Sequence, residues 1–372
     1  MRRIVLGNLA KVPESLRESI ARSKADYRRL GYSGLRVSNP ILGALSLGSS
    51  RWLPWVLDEE KALGILKVAY ENGINTWDTA NVYSNGESER IIGKALQKYK
   101  IPRQKVVIMT KCFRVSCDSE NYSLDSTVTM HHEIADLSKD YVNQWGLSRK
   151  AIFSAVEGSL ERMNTSYIDV LQIHRFDPTV SPEETMRALD DLVRTGMVRY
   201  IGASSMWTYQ LATMQHIAEK YGLTKFISMQ NHYNLIYREE EREMIPYCKL
   251  TGVGLIPWAP LASGRLGRDP SRLTTDSKRA GSGKSGSMYD TDGDDNSDKI
   301  IARVKDIAVK RGWPMSHVAL AWLNRRVTAP ILGFSSEDRI FEALSARGKV
   351  LSDEEDVYLE ELYRPRTIQG HH

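Results

Sequence analysis

Four residues of proton-carrying type stand at or just beyond the ends of short apolar runs. Asp78 follows Ile74-Asn-Thr-Trp77, Tyr83 lies five residues later, Lys111 follows Val107-Ile-Met-Thr110, and His174 follows Leu171-Gln-Ile173. A carboxylate, a phenol, an ammonium and an imidazole are the side chains of general acid–base chemistry. A lysine can also attack a carbonyl as a nucleophile. Singly, each has a structural explanation: Asp78 as a helix cap, Tyr83 as a core aromatic, Lys111 as surface charge, His174 as a satisfied buried histidine. Gathered at the ends of three strands on one face of a sheet, the four together ask for a chemical explanation.

The elements that must position them alternate along the chain. Strands are expected at Ile41–Leu45, Ile74–Trp77, Val106–Thr110, Tyr167–Gln172, Tyr200–Ala203, Phe226–Met229, Gly254–Pro257 and Ala329–Gly333. Val106-Val-Ile-Met109 is apolar at every position, the pattern of a parallel strand buried on both faces. Helices are expected at Asp58–Asn72, Glu87–Lys98, Ser148–Met163, Ser181–Thr195, Trp207–Tyr221, Glu239–Thr251, Asp298–Gly312 and Ser336–Arg347. Asp58 is placed as the cap of the first and Gly73 just past its end; Ser181-Pro-Glu-Glu184 has the order of a helix start. Eight strand–helix pairs over roughly 300 residues match an α/β (β/α)8 TIM barrel. A doubly wound open sheet is the alternative, but Leu47-Gly-Ser-Ser-Arg51 lacks its glycine-rich turn. A hairpin at Tyr27–Ser38, turning at Ser33-Gly34, precedes the alternation. The chain therefore divides into an extension, residues 1–26, and one barrel domain, residues 27–372.

Two segments interrupt the rhythm. Residues 117–147 form a long polar insertion, and residues 276–298 are rich in Gly, Ser and Asp. Both follow strands and so belong to the face where barrel enzymes carry their sites, as lids, specificity loops or plain insertions. Two motif matches fail on context. Gly281-Ser-Gly-Lys-Ser-Gly286 fits G-x-G-x-x-G, but no strand precedes it and no helix starts on it. Tyr221-Gly-Leu-Thr-Lys225 spaces a tyrosine and a lysine suitably for a short-chain dehydrogenase but straddles a helix end.

Composition removes several classes of function. Lys plus Arg is 51 and Asp plus Glu 46, a net charge of +5 spread along 372 residues, which disfavours nucleic acid. Cys112, Cys117 and Cys248 are too few for a disulfide framework, suit a reducing compartment, and include no CxxC pair, so no metal site is expected. No apolar run reaches about 18 residues, so no membrane span is expected. The basic start carries Glu14 and Glu18 and lacks the apolar core of a secretory signal; a cytoplasmic location is the expectation.

With these residues assembled, the sequence resembles the aldo-keto reductase superfamily over roughly residues 27–370. The likeness is carried by Gly73-Ile-Asn-Thr-Trp-Asp-Thr-Ala-Asn-Val-Tyr83, Thr110-Lys111, Ile168-Asp-Val-Leu-Gln-Ile-His174 and Gly196-Met-Val-Arg-Tyr-Ile-Gly-Ala-Ser-Ser205. Ile256-Pro-Trp-Ala-Pro-Leu-Ala-Ser-Gly264 and Ile331-Leu-Gly-Phe-Ser-Ser-Glu-Asp-Arg339 belong to it as well. Within that superfamily it is most similar to fungal versiconal hemiacetal acetate reductases and aryl-alcohol dehydrogenases.

The resemblance implies reduction of a small-molecule carbonyl by NADPH. Tyr83 is then the proton donor and Lys111 lowers its pKa, with Asp78 holding Lys111 and His174 binding the carbonyl oxygen. Lowering a phenol by ~2–3 pH units takes about 3–4 kcal/mol of interaction. The resemblance also implies that Ser204, Ser205 and Gln230 hold the nicotinamide carboxamide, with Trp258 against the ring. Leu261, Ser263 and Arg265 would cover the pyrophosphate; Ser335, Ser336 and Arg339 would meet the 2′-phosphate and Glu342 the adenine. Ser205 and Ala343 stand where the family more often has Asn. Trp52, Trp55, Phe113 and Trp145, in loops at the mouth, are candidates for an aromatic substrate pocket. Two other functions fit the same residues. One is an NADPH-binding regulatory protein with slow turnover, like the potassium-channel β-subunits. The other is an aldolase using Lys111 as a Schiff-base nucleophile. The sequence leaves the oligomeric state open.

Overall fold

A computed structural model describes residues 12–116, 132–269 and 295–371. The hairpin comes first, with β1 (Asp26–Arg29) antiparallel to β2 (Arg36–Asn39). Its tightest point is Gly31 (φ +59), where a Cβ would lie 2.2 Å from the Gly252 carbonyl oxygen. Eight parallel strands follow: β3 (Ile41–Gly43), β4 (Thr76–Asp78), β5 (Val107–Cys112), β6 (Ile168–Ile173), β7 (Val198–Ser204), β8 (Phe226–Gln230), β9 (Gly254–Leu255) and β10 (Ile331–Leu332). Their order is β10-β3-β4-β5-β6-β7-β8-β9. The circle closes where the Thr328 amide donates to the Leu255 carbonyl (2.8 Å) and the Ile331 amide to the Pro257 carbonyl (3.0 Å). This is the expected (β/α)8 barrel.

Side-chain alternation along each strand sorts the residues into inside and outside. Met109, Val170, Ile256, Ala329 and Ile331 share one interior cluster with Leu30 and Val37 of the hairpin, which plugs the amino-terminal end. The intervening residues, such as Trp77, Ile108 and Leu171, pack in the outer core shared with helix residues Leu66, Ile92, Val156 and Leu189. Two residues beyond Met109 and Val170 the interior turns polar, at Lys111 and Gln172, which are in register across β5 and β6.

The helices agree with expectation in place more than in detail. Ser181 and Ser148 cap their helices, accepting from the Glu183 and Ala151 amides. Asp58 sits at an N-cap position but its carboxylate instead accepts the amide and hydroxyl of Ser50 (2.7 and 2.9 Å), fastening the loop after β3. The run expected as one helix from Glu239 splits into a 3-10 turn at Glu239–Glu241 and a helix at Met244–Thr251. Helices Glu14–Arg22, Met315–Asn324 and Asp353–Glu360 were not expected. Of the first insertion, residues 132–147 are described, and Val115 and Ala135 pack there with Tyr141 and Trp145. Residues 117–131 and 270–294, with Cys117 and the Gly281–Gly286 match, lie outside the described residues. The helix expected from Asp298 already runs from Asp295.

Candidate active site

The expected quartet meets at the carboxyl ends of β4, β5 and β6. Lys111 is buried, and its Nζ donates to Asp78 Oδ2 (2.6 Å), to the Thr79 carbonyl (2.8 Å) and to Tyr83 Oη (3.3 Å). The ammonium also lies 5.0 Å from the Tyr83 ring centre. His174 meets the Tyr83 ring edge-on, the ring centres 6.0 Å apart. Chain geometry fixes Tyr83 in turn. Ser84 and Asn85 adopt positive φ and Gly86 follows at +84°, a tight left-handed run in which Ser84 Oγ accepts the Ser49 amide. No Cβ fits at Gly48, which would meet Ser84 Oγ at 2.1 Å.

Burial sets the protonation states. It opposes charge on Lys111, but the Asp78 carboxylate and the Tyr83 hydroxyl outweigh it and hold the ammonium above its ordinary value. A raised pKa is the opposite of what a Schiff-base lysine needs, which counts against the aldolase. For Tyr83 the expected downward pull of Lys111 is present, joined by Arg175, but burial outweighs it. Although the ring keeps an open edge, the enclosing protein pushes the phenol above 10.0, while Lys111 pulls it down against that. The reason is that a phenolate loses its water here and Asp78 repels it, and one ammonium does not compensate both. His174 is held well below 6.5 by burial and by the charges of Arg175, Lys111 and Arg114, so its ring is neutral at pH 7. Its Nδ1 is buried without a hydrogen-bond partner.

Of the residues expected near a cofactor, Ser204 and Gln230 end β7 and β8 side by side in register. Both are turned to internal partners: Ser204 Oγ donates to the Gln230 carbonyl (2.8 Å), and Gln230 Nε2 donates to Asp78 Oδ1 (2.9 Å). Ser205 Oγ accepts from the Trp258 indole (3.0 Å). Trp258 stacks on His232, which stacks on Tyr237, at centre distances of 4.2 and 4.0 Å. Leu261, Ser263 and Arg265 belong to the loop after β9, where Arg265 pairs with Asp298 (2.9 Å). Ser335 and Ser336 are exposed at the amino end of helix Glu337–Leu344, with Arg339 one turn in, paired with Glu342 (2.8 Å). Glu342 also receives the Ser316 hydroxyl. Among the mouth aromatics, Phe113 and Trp145 meet edge-to-face at 6.3 Å, and Trp145 donates to Asp136 (2.8 Å). Trp52 and Trp55 stay partly exposed in the loop after β3.

Three contributors were not singled out from the sequence. Gln172 donates to Asp78 Oδ1 (2.8 Å) from inside an otherwise apolar strand; only its spacing, two before His174, marks it. Arg175 is buried beside His174. The tail is the third: the Gln369 amide donates to Tyr237 Oη (2.8 Å), and a Cβ on Gly370 would stand 3.6 Å from Trp258.

The profile of the aldo/keto reductase family matches residues 41–364. An aldo-keto reductase of Metarhizium robertsii is 72% identical over 371 residues, all of both chains. An aldo-keto reductase of Fusarium vanettenii is 69% identical over 371 residues, again all of both. The versiconal hemiacetal acetate reductase of Aspergillus parasiticus is 49% identical over 345 residues, 92% of this chain and 98% of that one. Among the described residues no helix is long and apolar enough to cross a membrane. With a closed parallel barrel, Asp78, Lys111 and Tyr83 hydrogen-bonded at its carboxyl end, and a family match that spans the eight barrel strands, the chain belongs to the aldo/keto reductase family, oxidoreductases that reduce carbonyl groups.

Proposed function

We propose that the protein reduces an aldehyde or ketone to the alcohol with NADPH, Tyr83 giving the proton. The observation that carries this is the hydrogen-bonded sequence Asp78–Lys111–Tyr83 beside a neutral His174. When bound, the nicotinamide supplies the hydride. As charge builds on the carbonyl oxygen, Tyr83 passes its phenolic proton to it and becomes phenolate. The Lys111 ammonium then faces a full negative charge, so its attraction grows along the reaction, which is the condition for lowering a barrier. His174, uncharged, orients the oxygen by a hydrogen bond without competing for the proton.

The donors present suit the cofactor. Ser335 and Ser336 stand exposed at the amino end of helix Glu337–Leu344, where free amides and the helix dipole favour an anion, and Arg339 one turn in carries the fixed charge and fork that suit phosphate. Gln230 touches Asp78, Ser204 bonds the Gln230 carbonyl and Ser205 bonds the Trp258 indole; in this reading Trp258 would meet the nicotinamide ring and the polar three its carboxamide. Leu261, Ser263 and Arg265 would cover the pyrophosphate and Glu342 the adenine. Replacing Arg339 with Ala should raise the KM for NADPH by tenfold or more, roughly one lost charge-assisted contact, and leave that for NADH nearly unchanged. Equal effects on both cofactors would remove the 2′-phosphate role.

For the substrate, Trp52, Trp55, Phe113 and Trp145 favour a flat aromatic or other secondary-metabolite carbonyl. The name of the A. parasiticus relative, a reductase of versiconal hemiacetal acetate, is in keeping with this. Trp52→Ala should lower kcat/KM for aromatic aldehydes more than for aliphatic ones; an unchanged ratio would take Trp52 out of the pocket. A small-molecule substrate and a cytoplasmic, single-domain enzyme complete the proposal.

A further inference from the structure

The ammonium of Lys111 has three protons, and each has one acceptor: Asp78 Oδ2, the Thr79 carbonyl and Tyr83 Oη. This division depends on which oxygens of Asp78 are engaged elsewhere. Asp78 Oδ1 receives two amide donors, Gln172 Nε2 at 2.8 Å and Gln230 Nε2 at 2.9 Å. Gln230 Nε2 also lies 2.8 Å from Gln172 Oε1, so the two amides brace each other. Gln172 is completely buried, and the strand beside it makes room. At Gly202, its partner in register on β7, a Cβ would stand 3.1 Å from Gln172 Cγ and 2.4 Å from Ser228 Oγ.

A buried carboxylate oxygen without donors is costly, and it turns toward the nearest cation. Without Gln172, Oδ1 would lose one of its two amides and the brace that holds the other, and Asp78 would be freer to rotate toward a second proton of Lys111. That proton is available only from Thr79 or from Tyr83. We propose that Gln172 is a positioning residue of the reaction: by donating to Asp78 Oδ1 and bracing the Gln230 amide against the same oxygen, it confines the carboxylate to one Lys111 proton and leaves another for Tyr83. The proposal rests on the carbonyl-reductase function above and extends it to a residue that touches neither Tyr83 nor substrate.

Two substitutions test it. Gln172→Leu leaves an apolar side chain one atom shorter and removes the donor. It should lower kcat by about tenfold, the order expected for one buried hydrogen bond to a charged group, with KM for the carbonyl and NADPH affinity (quenching of tryptophan fluorescence, no turnover) unchanged. Gln172→Glu puts a second carboxyl against Asp78. Two carboxyls in contact cannot both ionise readily, so the introduced one holds its proton to higher pH than a free glutamate. While protonated it donates to Oδ1 as the amide did. Relative to the wild type, kcat of this variant should therefore recover as pH falls from about 8 to 5, a response that a packing defect does not give. Its melting temperature should show the same sign without any turnover: the deficit against wild type should widen as pH rises, because a proton held in the folded state is lost.

Wild-type kcat in Gln172→Leu, or a Gln172→Glu variant whose kcat ratio and melting deficit are both independent of pH, would overturn the proposal. A wild-type enzyme that reduces no carbonyl would instead refute the function on which it rests, while the melting curves would still decide whether Gln172 bears on the Asp78 carboxylate.

Discussion

Tyr83 stands between two opposing influences, loss of water that favours its neutral form and the Lys111 ammonium that favours phenolate. Since the first prevails, the donor is protonated throughout the neutral range. His174, held neutral far below 6.5, adds no titration there. Reductive kcat should accordingly be flat from about pH 6 to 9 and fall only beyond it, while oxidation of the alcohol, which needs phenolate to take up the proton, should rise with pH. An acid-side loss centred near pH ~6.5 that disappears in His174→Gln would contradict the neutral histidine. The quartet was legible in the sequence because Asp78, Lys111 and His174 interrupt or end apolar runs that have no structural use for charge. Gln172 was not, because an amide between Leu171 and Ile173 looks like any inward strand position until its partner across the barrel is known. The direction of the Tyr83 shift was not legible either, since it depends on how much water the folded loops exclude.

At the scale of elements, alternation within the strands does the positioning. Met109 to Lys111 and Val170 to Gln172 are single two-residue steps from apolar core to polar site. Gly202 is the opening that lets the Gln172 side chain lie across the interior. Gly202→Val should destabilise the fold by about 1–3 kcal/mol through overpacking, measured by denaturant unfolding, and should also lower kcat by displacing Gln172; full activity at reduced stability would mean that the interior adapts without moving the amide. Strand positions were readable from unbroken apolar runs, and the caps at Ser148 and Ser181 from local chemistry. Asp58 misleads because a carboxylate at an N-cap position has two possible uses, and here the amide and hydroxyl of Ser50 claim it. The split after Glu239 reflects Arg238, Arg242 and the tail residue Arg366, which hold the acids of that turn, a contact from far along the chain that no local pattern contains.

Across the whole molecule the barrel separates stability from chemistry. The hairpin residues Leu30 and Val37 fill the amino-terminal end of the interior with Met109, Val170 and Ile256, and the site occupies the other end. Leu30→Ala should cost about 2–5 kcal/mol, visible as a lower melting temperature, with kcat at 25 °C preserved; a parallel fall in kcat would show that the plug shapes the site. Three buried histidines make the fold acid-sensitive. His174, His232 and His317 are all depressed, His232 to about 3, chiefly by burial. The unfolded chain takes up protons below about pH 6.5 that the folded one refuses, so stability is complete above that value and declines below it, by up to about 1.4 kcal/mol per pH unit for each histidine. Melting curves between pH 7 and pH ~4.5 should fall less steeply in His232→Gln. Repetition of strand and helix disclosed the barrel from sequence, but its closure did not show. β9 and β10 are only two residues each, and the ring is completed by the Thr328 and Ile331 amides, which carry no sequence signature.

The proposed reaction turns on one proton. Following NADPH consumption with a panel of aromatic aldehydes, wild type against Tyr83→Phe, measures it directly. Loss of turnover by roughly a hundredfold or more in the variant, with NADPH still bound, is the predicted result. Equal turnover in the two would show that another group gives the proton, and tight NADPH binding with negligible turnover in both would mean that this barrel senses the cofactor instead of using it.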